Sequence, residues 1–367
     1  MSVAAHERRE GLSLRWFERF IYLWIILAGV GGLVLGRTIP QIGEAIERIS
    51  WQGVSLPLAT AMFFVMLPPM AKVKIAEIKN ATRNVKPTLI TLVANWLIAP
   101  ALMWALANVF VPEPEYRAGI ILLGLAPCTA MVLFWIYFAR GNLVQGVMVT
   151  AINAVSTLLL YGAMGTFYLG VGGVPVPFLL ILFSSVLFVG LPLLIGQLAR
   201  HYLTRLKGEA WFEGRFLHVM GDVSAVALLA TMVIMFSSQG GVILENPVLV
   251  LRLMVPNLLH YLIMISLAVG ASRLLRLNYP DTAMTAMISS SSQFEVAIGT
   301  AMVLFGVGSG AALATVIGPL LEIPLMVTAA KVLWKMAPRF KGGADKPVGL
   351  RRGAHGAPSA ATVEAGE

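Results

Sequence analysis

The chain has 367 residues, of which 58% are hydrophobic and only 12% are charged. No single water-soluble core could bury so much apolar surface, so the composition excludes an ordinary soluble globular protein and indicates a membrane protein. The formal net charge is +9, and the single cysteine excludes an internal disulfide bond.

Apolar stretches of about 18 to 25 residues recur along the chain, and each is long enough to cross a hydrocarbon core of about 30 Å. The first is too long for the apolar part of a signal peptide and has no small-residue cleavage site after it, so we expect it to remain a membrane helix. The ten predicted spans are 20–39, 54–71, 87–111, 117–138, 144–169, 177–199, 218–238, 250–272, 281–305 and 311–334.

The distribution of the positive charge along the chain indicates membrane topology and not a nucleic-acid-binding surface. If both termini face the cytoplasm, the inner segments hold 23 of the 27 lysines and arginines. Only Arg37, Arg48, Arg117 and Arg252 fall near the outer side, which is a strong positive-inside bias. We therefore expect a multi-pass protein of a bacterial-type inner (plasma) membrane, with both termini cytoplasmic and no nucleic-acid partner.

The sequence predicts one membrane domain, residues 20–336, with short loops. Residues 1–19 are expected to form a cytoplasmic N-terminal segment. Residues 337–367 contain a stretch rich in Gly, Ala and Pro with no apolar period, which is typical of a disordered tail.

The hexapeptide TAMVLF occurs twice, at Thr129–Phe134 and at Thr300–Phe305. Coincidence is one interpretation in a chain so rich in Ala, Val and Leu. The other is an internal repeat, because each copy falls in the fourth helix of one five-helix half. Five is odd, so the second half must enter the membrane with opposite orientation. The sequence thus predicts an all-α fold with ten transmembrane helices in two inverted repeats, about 20–169 and 177–336.

Helices 4 and 9, the fourth helix of each half, both contain residues that can interrupt a helix. Pro127 lacks an N–H and clashes with the preceding turn. In helix 9 the run Ser289–Gln293, which includes Ser290 and Ser291, offers hydroxyl and amide groups to freed backbone. We expect the two interruptions to cross at the membrane midplane and to form the site.

Two groups at this depth could carry chemistry. Glu295 lies roughly 21 Å into its helix and Cys128 roughly 16 Å into the antiparallel partner, at a helical rise of about 1.5 Å per residue. A carboxylate at the midplane is costly to ionise, which suits a proton-coupled carrier. A structural ion pair is the alternative for Glu295, and a small buried apolar role is the alternative for Cys128. A thiolate prefers soft partners such as trivalent arsenic or antimony, copper(I) or zinc.

Further polar groups fall inside the predicted spans. Glu322 precedes Pro324 in the last helix and either shares the proton or has a hydrogen-bonded structural role. Asn95, Asn153 and Gln293 each need a polar partner in the bilayer. A shared solute cavity would supply one, and hydrogen bonding between helices is the alternative.

Several segments resemble the signature blocks of the Acr-type arsenical-resistance permeases, which belong to the bile acid/sodium symporter superfamily. The segments are PPMAKVK (68–74), NWLIAP (95–100), GLAPCTAMV (124–132), MFSSQG (235–240), QFEVAI (293–298) and GPLLEIP (318–324). They follow in order over about residues 18–335.

The resemblance implies ten helices in two inverted repeats, a panel part and a core part, and efflux of trivalent arsenite by proton exchange. The family's essential cysteine and glutamate correspond to Cys128 and Glu295. This chain departs from the family pattern at Pro127, where an arginine is usual, and at Ser292 and Gln293, where asparagines are usual. These changes imply a bulkier or less hydrated solute, such as a methylated or organic arsenical.

We therefore expect a transporter of a metalloid or organoarsenical solute, with antimonite as a further candidate, in which Cys128 binds the metalloid and Asn153, Gln293 and Ser292 line its path. No cofactor is expected. The alternative is a sodium-coupled symporter of an organic anion, with backbone carbonyls as sodium ligands. A membrane enzyme or sensor is disfavoured because the chain lacks HExxH and nucleotide-loop motifs and its histidines are dispersed.

Overall fold

The structure, a computed structural model, describes residues 21–39, 41, 48–51, 54–73, 84–129 and 131–340. The predicted N-terminal segment, 1–19, and residues 341–367 of the predicted tail lie outside these residues.

The described chain is built almost entirely from helices. They are α1 (Ile21–Thr38), α2 (Leu56–Lys72), α3 (Val85–Phe110), α4 (Pro114–Leu125), α5 (Val132–Phe138), α6 (Leu143–Val171), α7 (Phe178–Lys207), α8 (Leu217–Glu245), α9 (Pro247–Leu274), α10 (Tyr279–Ser290), α11 (Phe294–Phe305) and α12 (Gly310–Met336). The all-α prediction is confirmed for the described residues. A two-residue antiparallel pairing of Ser50–Trp51 with Val54–Ser55 does not change the fold class.

Membrane spans are indicated by length and composition. Within the described residues, six helical segments are long and apolar enough to cross a bilayer, namely Val85–Phe110, Leu143–Val171, Phe178–Lys207, Glu209–Gly241, Pro247–Leu274 and Gly310–Arg339. Shorter apolar helices are Ile26–Thr38, Leu56–Lys72 and Phe294–Phe305. Large apolar side chains stay exposed on outward faces, as contact with lipid requires; they include Leu97, Val109, Leu159, Leu179 and Val248.

Two apolar stretches are each divided into a pair of helices. The first is divided between α4 and α5, where Ala126 is extended, with φ −106° and ψ 110°. The second is divided between α10 and α11, where Ser291 is extended, with φ −83° and ψ 133°. Both breaks are short, so the chain continues across the membrane after a few residues of non-helical backbone.

Wider π-helical turns occur in two of the long helices. They span Ala94–Ile98 in α3 and Val186–Gly190 in α7. Each precedes a proline, Pro100 or Pro192, whose missing N–H leaves a carbonyl of the preceding turn without its usual donor. Such bulges are frequent at functional positions, and Asn95 lies inside the first.

The helices pack in two groups. In one, α8 packs along α1 and α2, and the second half of α7 packs on α2. In the other, α12 packs on α4, and α9 packs on α3, α10 and α12. The second group surrounds the place where the two interrupted pairs meet.

At Gly119 the backbone of α4 lies directly against the backbone of α12. A Cβ at this position would lie 2.2 Å from the carbonyl oxygen of Ala311. We expect Gly119→Val to lower the free energy of unfolding in detergent by about 2 kcal/mol or more, because neither helix backbone can move aside. Gly170→Val in α6 is the matched control, since its Cβ would have no heavy atom within 4 Å. Equal melting temperatures for the two variants would contradict this packing.

Candidate functional site

The two interrupted segments bind each other through their backbones. The N–H of Cys128 donates to the carbonyl of Ser291 at 3.1 Å, and the N–H of Gln293 donates to the carbonyl of Ala126 at 2.8 Å. Pro127 and Ser292 face each other in an antiparallel bridge. Non-helical backbone inside a membrane needs hydrogen-bond partners. Each break supplies such partners to backbone groups of the other break. We call this place the crossing.

The local sequence explains why the helices are interrupted at the crossing. Pro127 removes one backbone donor from the first segment. On the second segment, the hydroxyl of Ser290 donates to the carbonyl of Ala286 at 2.8 Å, which stabilises the last turn of α10. The side chain of Gln293 extends the contact, because its amide donates to the hydroxyl of Thr129 at 2.8 Å. These interactions fix the two segments relative to each other.

One side of the crossing holds two carboxyl groups. Glu322 of α12 accepts hydrogen bonds from the hydroxyl of Ser291 and from the hydroxyl of Tyr261, the latter at 3.1 Å. Glu295 lies in the first turn of α11, four residues after Ser291. Both carboxyls are buried, with 4% and 3% of Glu295 and Glu322 exposed. A buried carboxyl inside an apolar span is a candidate for a functional role.

Cys128 lies at the crossing itself. It is buried and forms no disulfide bond. Ser291 connects it to Glu322, because the carbonyl of Ser291 accepts from the backbone of Cys128 while its hydroxyl donates to Glu322. The backbone of Cys128 and the carboxyl of Glu322 are therefore linked through one residue.

A small cavity of about 10 Å³ opens beside the crossing. Its polar lining comes from Asn95 of α3, His260 of α9, and Ser289, Ser291 and Ser292 of the second interrupted segment. Pro127 lines it as well, directly before Cys128 in the chain. We call this space the crossing cavity. It has room for about one water molecule.

Comparison with known proteins identifies the family. Residues 59–246 match the Sodium Bile acid symporter family. An arsenical-resistance protein Acr3 of Alkaliphilus metalliredigens is 36% identical over 88% of this chain and 94% of its own length. The Acr3 of Corynebacterium glutamicum is 35% identical over 93% of this chain and 95% of its own. This chain is a member of the Acr3-type branch of the sodium bile acid symporter family.

Two other relatives have names that do not state which solute they transport. An uncharacterized transporter of Synechocystis is 36% identical over 92% of this chain and 94% of its own length. An uncharacterized sodium-dependent transporter YocS of Bacillus subtilis is 25% identical over 82% of this chain and 84% of its own. Membership of this transporter family and the long apolar helices together make the chain a multi-pass membrane transporter.

The remaining residues that the sequence singled out in this Acr3-type chain lie near the crossing without forming one group. Asn95 donates from its side chain to the side-chain oxygen of Asn153 at 3.3 Å, which ties α3 to α6 behind the crossing cavity. The amide nitrogen of Asn153 has no hydrogen-bond partner among the described residues. No group of three or more His, Cys, Asp or Glu residues suited to a resident metal occurs in the described part of the chain.

Sequence reasoning did not single out two buried residues of this Acr3-type chain that lie near the crossing. His260 was set aside with the dispersed histidines, yet it lies inside α9 and is 2% exposed. Tyr261, its neighbour, faces the acid pair. A titratable side chain inside an apolar span is by itself a signal of function, and the position of His260 within the predicted span 250–272 already carried that signal.

Proposed function

We propose that this protein is a secondary active exporter of trivalent arsenicals, driven by proton exchange across the inner membrane. The supporting observation is the antiparallel crossing, which joins the backbone of Cys128 to Ser291 and the hydroxyl of Ser291 to the buried carboxyl of Glu322. The relatives named as arsenical-resistance proteins support the solute class. We further propose ten membrane helices in two inverted repeats with both termini cytoplasmic, supported by the opposed directions of the paired breaks.

In the proposed mechanism the thiol of Cys128 binds and releases the solute. Trivalent arsenic at neutral pH is a neutral hydroxide, and soft sulfur binds it well. The sulfur of Cys128 forms a bond to arsenic while one As–O bond breaks, and the departing hydroxide takes the thiol proton and leaves as water. Water reverses the step on the other side. One sulfur forms no closed chelate, so the solute can also leave.

The proton side follows from the carboxyls. Both oxygens of Glu322 accept hydrogen bonds, from Ser291 and Tyr261, which hold its side chain as part of the crossing. We therefore assign the exchangeable proton to Glu295. When the site faces outward, Glu295 takes up a proton as solute leaves, and it releases that proton to the cytoplasm after the site turns inward. Alternation of the crossing between the two faces couples the flows.

Expression in a host made sensitive to arsenicals tests the function. We expect protection against arsenite, less arsenic in the cells, and proton-driven accumulation of arsenite in everted vesicles. No protection together with unchanged cell arsenic would contradict the proposal. Arsenite, a methylated arsenical and antimonite should be compared in the same cells, since the solute range is part of the proposal.

A sodium-coupled symporter of an organic anion is the second candidate, because the family and the relative YocS carry sodium in their names. It predicts uptake that stops when choline replaces sodium and that does not change in the Cys128→Ser variant. The arsenical exporter predicts the opposite results on both points.

A further inference from the structure

A groove of about 260 Å³ lies between α3 and α9, on the surface of the second helix group. The described residues that line it are all apolar, among them Leu89 and Val93 of α3 and Ala268 and Ala271 of α9. The small alanines leave space that larger side chains would fill. On α3 the lining extends from Leu89 to Ile98, about 14 Å at 1.5 Å per residue, which is close to half of a hydrocarbon core of about 30 Å. We call this space the α3–α9 groove.

One end of the α3–α9 groove is positively charged. Lys86 precedes Leu89 by three residues and Val93 by seven, so it lies on the same face of α3, one turn before the lining begins. Arg276 follows the end of α9, five residues after Ala271. In the proposed topology α3 begins and α9 ends on the cytoplasmic side. The two cations therefore lie at the same, cytoplasmic end of the groove.

These two cations have no counter-charge in the described part of the chain. Both side chains are exposed, and neither forms an ion pair there. Lys86 lies in the first turn of α3, where the positive end of the helix dipole disfavours a cation. The guanidinium of Arg273 lies 4.8 Å from the centre of the Phe340 ring, so a third positive charge stays near this end. An anionic group at this position would relieve the repulsion.

The α3–α9 groove also contacts the π-helical turn of α3. Ala94 and Ile98 of this turn line the groove. Asn95, between them in sequence, lines the crossing cavity and donates to Asn153. The same turn therefore contacts the groove on one side and the crossing cavity on the other. An apolar chain in the groove would hold this turn in place beside the candidate functional site.

We propose that the α3–α9 groove binds one acyl chain of an anionic phospholipid from the cytoplasmic leaflet, and that Lys86 and Arg276 pair with its phosphate group. Basic residues beside a gap between membrane helices are typical of sites for anionic lipid headgroups. A second copy of this chain is the less favourable occupant. A two-fold dimer within one membrane would bring the same cationic ends of the two copies together. The inference does not depend on which solute is transported.

The test is native mass spectrometry of the purified full-length protein in detergent, with dioleoyl phosphatidylglycerol or dioleoyl phosphatidylcholine added. We expect the wild type to bind the first phosphatidylglycerol about tenfold more tightly than the first phosphatidylcholine. The double variant Lys86→Gln/Arg276→Gln should bind the two lipids equally. Arg205→Gln/Arg215→Gln is the matched control, because it removes two exposed cations that do not line the groove. This control should keep the wild-type preference.

A second pair of variants tests the acyl-chain part of the site. Ala271→Leu fills the groove and should weaken binding of both lipids about fivefold or more. Gly270→Leu should bind both lipids as the wild type does, because Gly270 does not line the groove and a Cβ there would have no heavy atom within 4 Å.

Two results would overturn the inference. One is an unchanged preference for phosphatidylglycerol in Lys86→Gln/Arg276→Gln, whose replaced side chains are on the surface and leave the fold intact. The other is a dimer of the chain that Ala271→Leu abolishes while lipid binding stays the same, since the groove would then be an interface between copies. Lipid binding is measured without transport, so a failure of the proposed arsenical export would not alter either result.

Discussion

Cys128→Ser is expected to reduce arsenite transport at least about 100-fold, because an alkoxide or hydroxyl oxygen is a much poorer ligand than sulfur for a soft metalloid. The change replaces one atom in a buried position, and the backbone bond from residue 128 to Ser291 does not depend on the side chain. The fold should therefore persist while transport is lost. The measurement is initial uptake into everted vesicles at matched protein levels.

A control and a second readout are available for this variant. Ser266→Ala removes one atom from an exposed hydroxyl on α9 and should transport as wild type does. Because Cys128 is the only cysteine of the chain, a maleimide reports on this position alone, and arsenite should slow its reaction. Wild-type transport by Cys128→Ser would show that the thiol only lines the path.

Glu295→Gln is expected to abolish uphill transport while leaving downhill exchange of arsenite. Glutamine preserves the size of the side chain but cannot release a proton. Accumulation driven by a pH gradient should fall to the level set by the solute gradient, and exchange between labelled and unlabelled arsenite should continue. The two assays on the same vesicles separate loss of coupling from loss of folding.

Glu322→Gln serves as the comparison. Glu322 accepts from Ser291 and Tyr261, so its replacement weakens the crossing but leaves the exchangeable proton of Glu295 in place. We expect it to retain a response to the pH gradient at reduced rate. If Glu322→Gln loses the response and Glu295→Gln keeps it, the proton belongs to Glu322.

The positions of the two breaks were predictable because their signals are local. Pro127 removes a donor wherever it stands in a helix, and a run of serines from Ser289 can replace backbone partners. Asp281 has one feature that the sequence predicts and another that it does not. Its place in the first turn of α10 follows from the sequence, but its bonds to the side chains of Asn84 and Asn142, at 2.8 Å and 2.7 Å, come from distant segments.

The contacts of the site were less predictable because they depend on how helices pack. Depth along a helix placed Cys128 and Glu295 at a similar level. It did not show that Glu322, from α12, would accept a hydrogen bond from Ser291. It also could not show that His260 and Ser289 would face one cavity, since neither residue has a neighbour in sequence that identifies its partner.

The most direct test of the central claim is arsenic X-ray absorption on the purified protein with arsenite bound. The account predicts one sulfur scatterer on arsenic in the wild type, with oxygen atoms in the remaining positions, and oxygen alone in Cys128→Ser. A wild-type spectrum with oxygen scatterers only, at full occupancy of arsenite, would contradict the account.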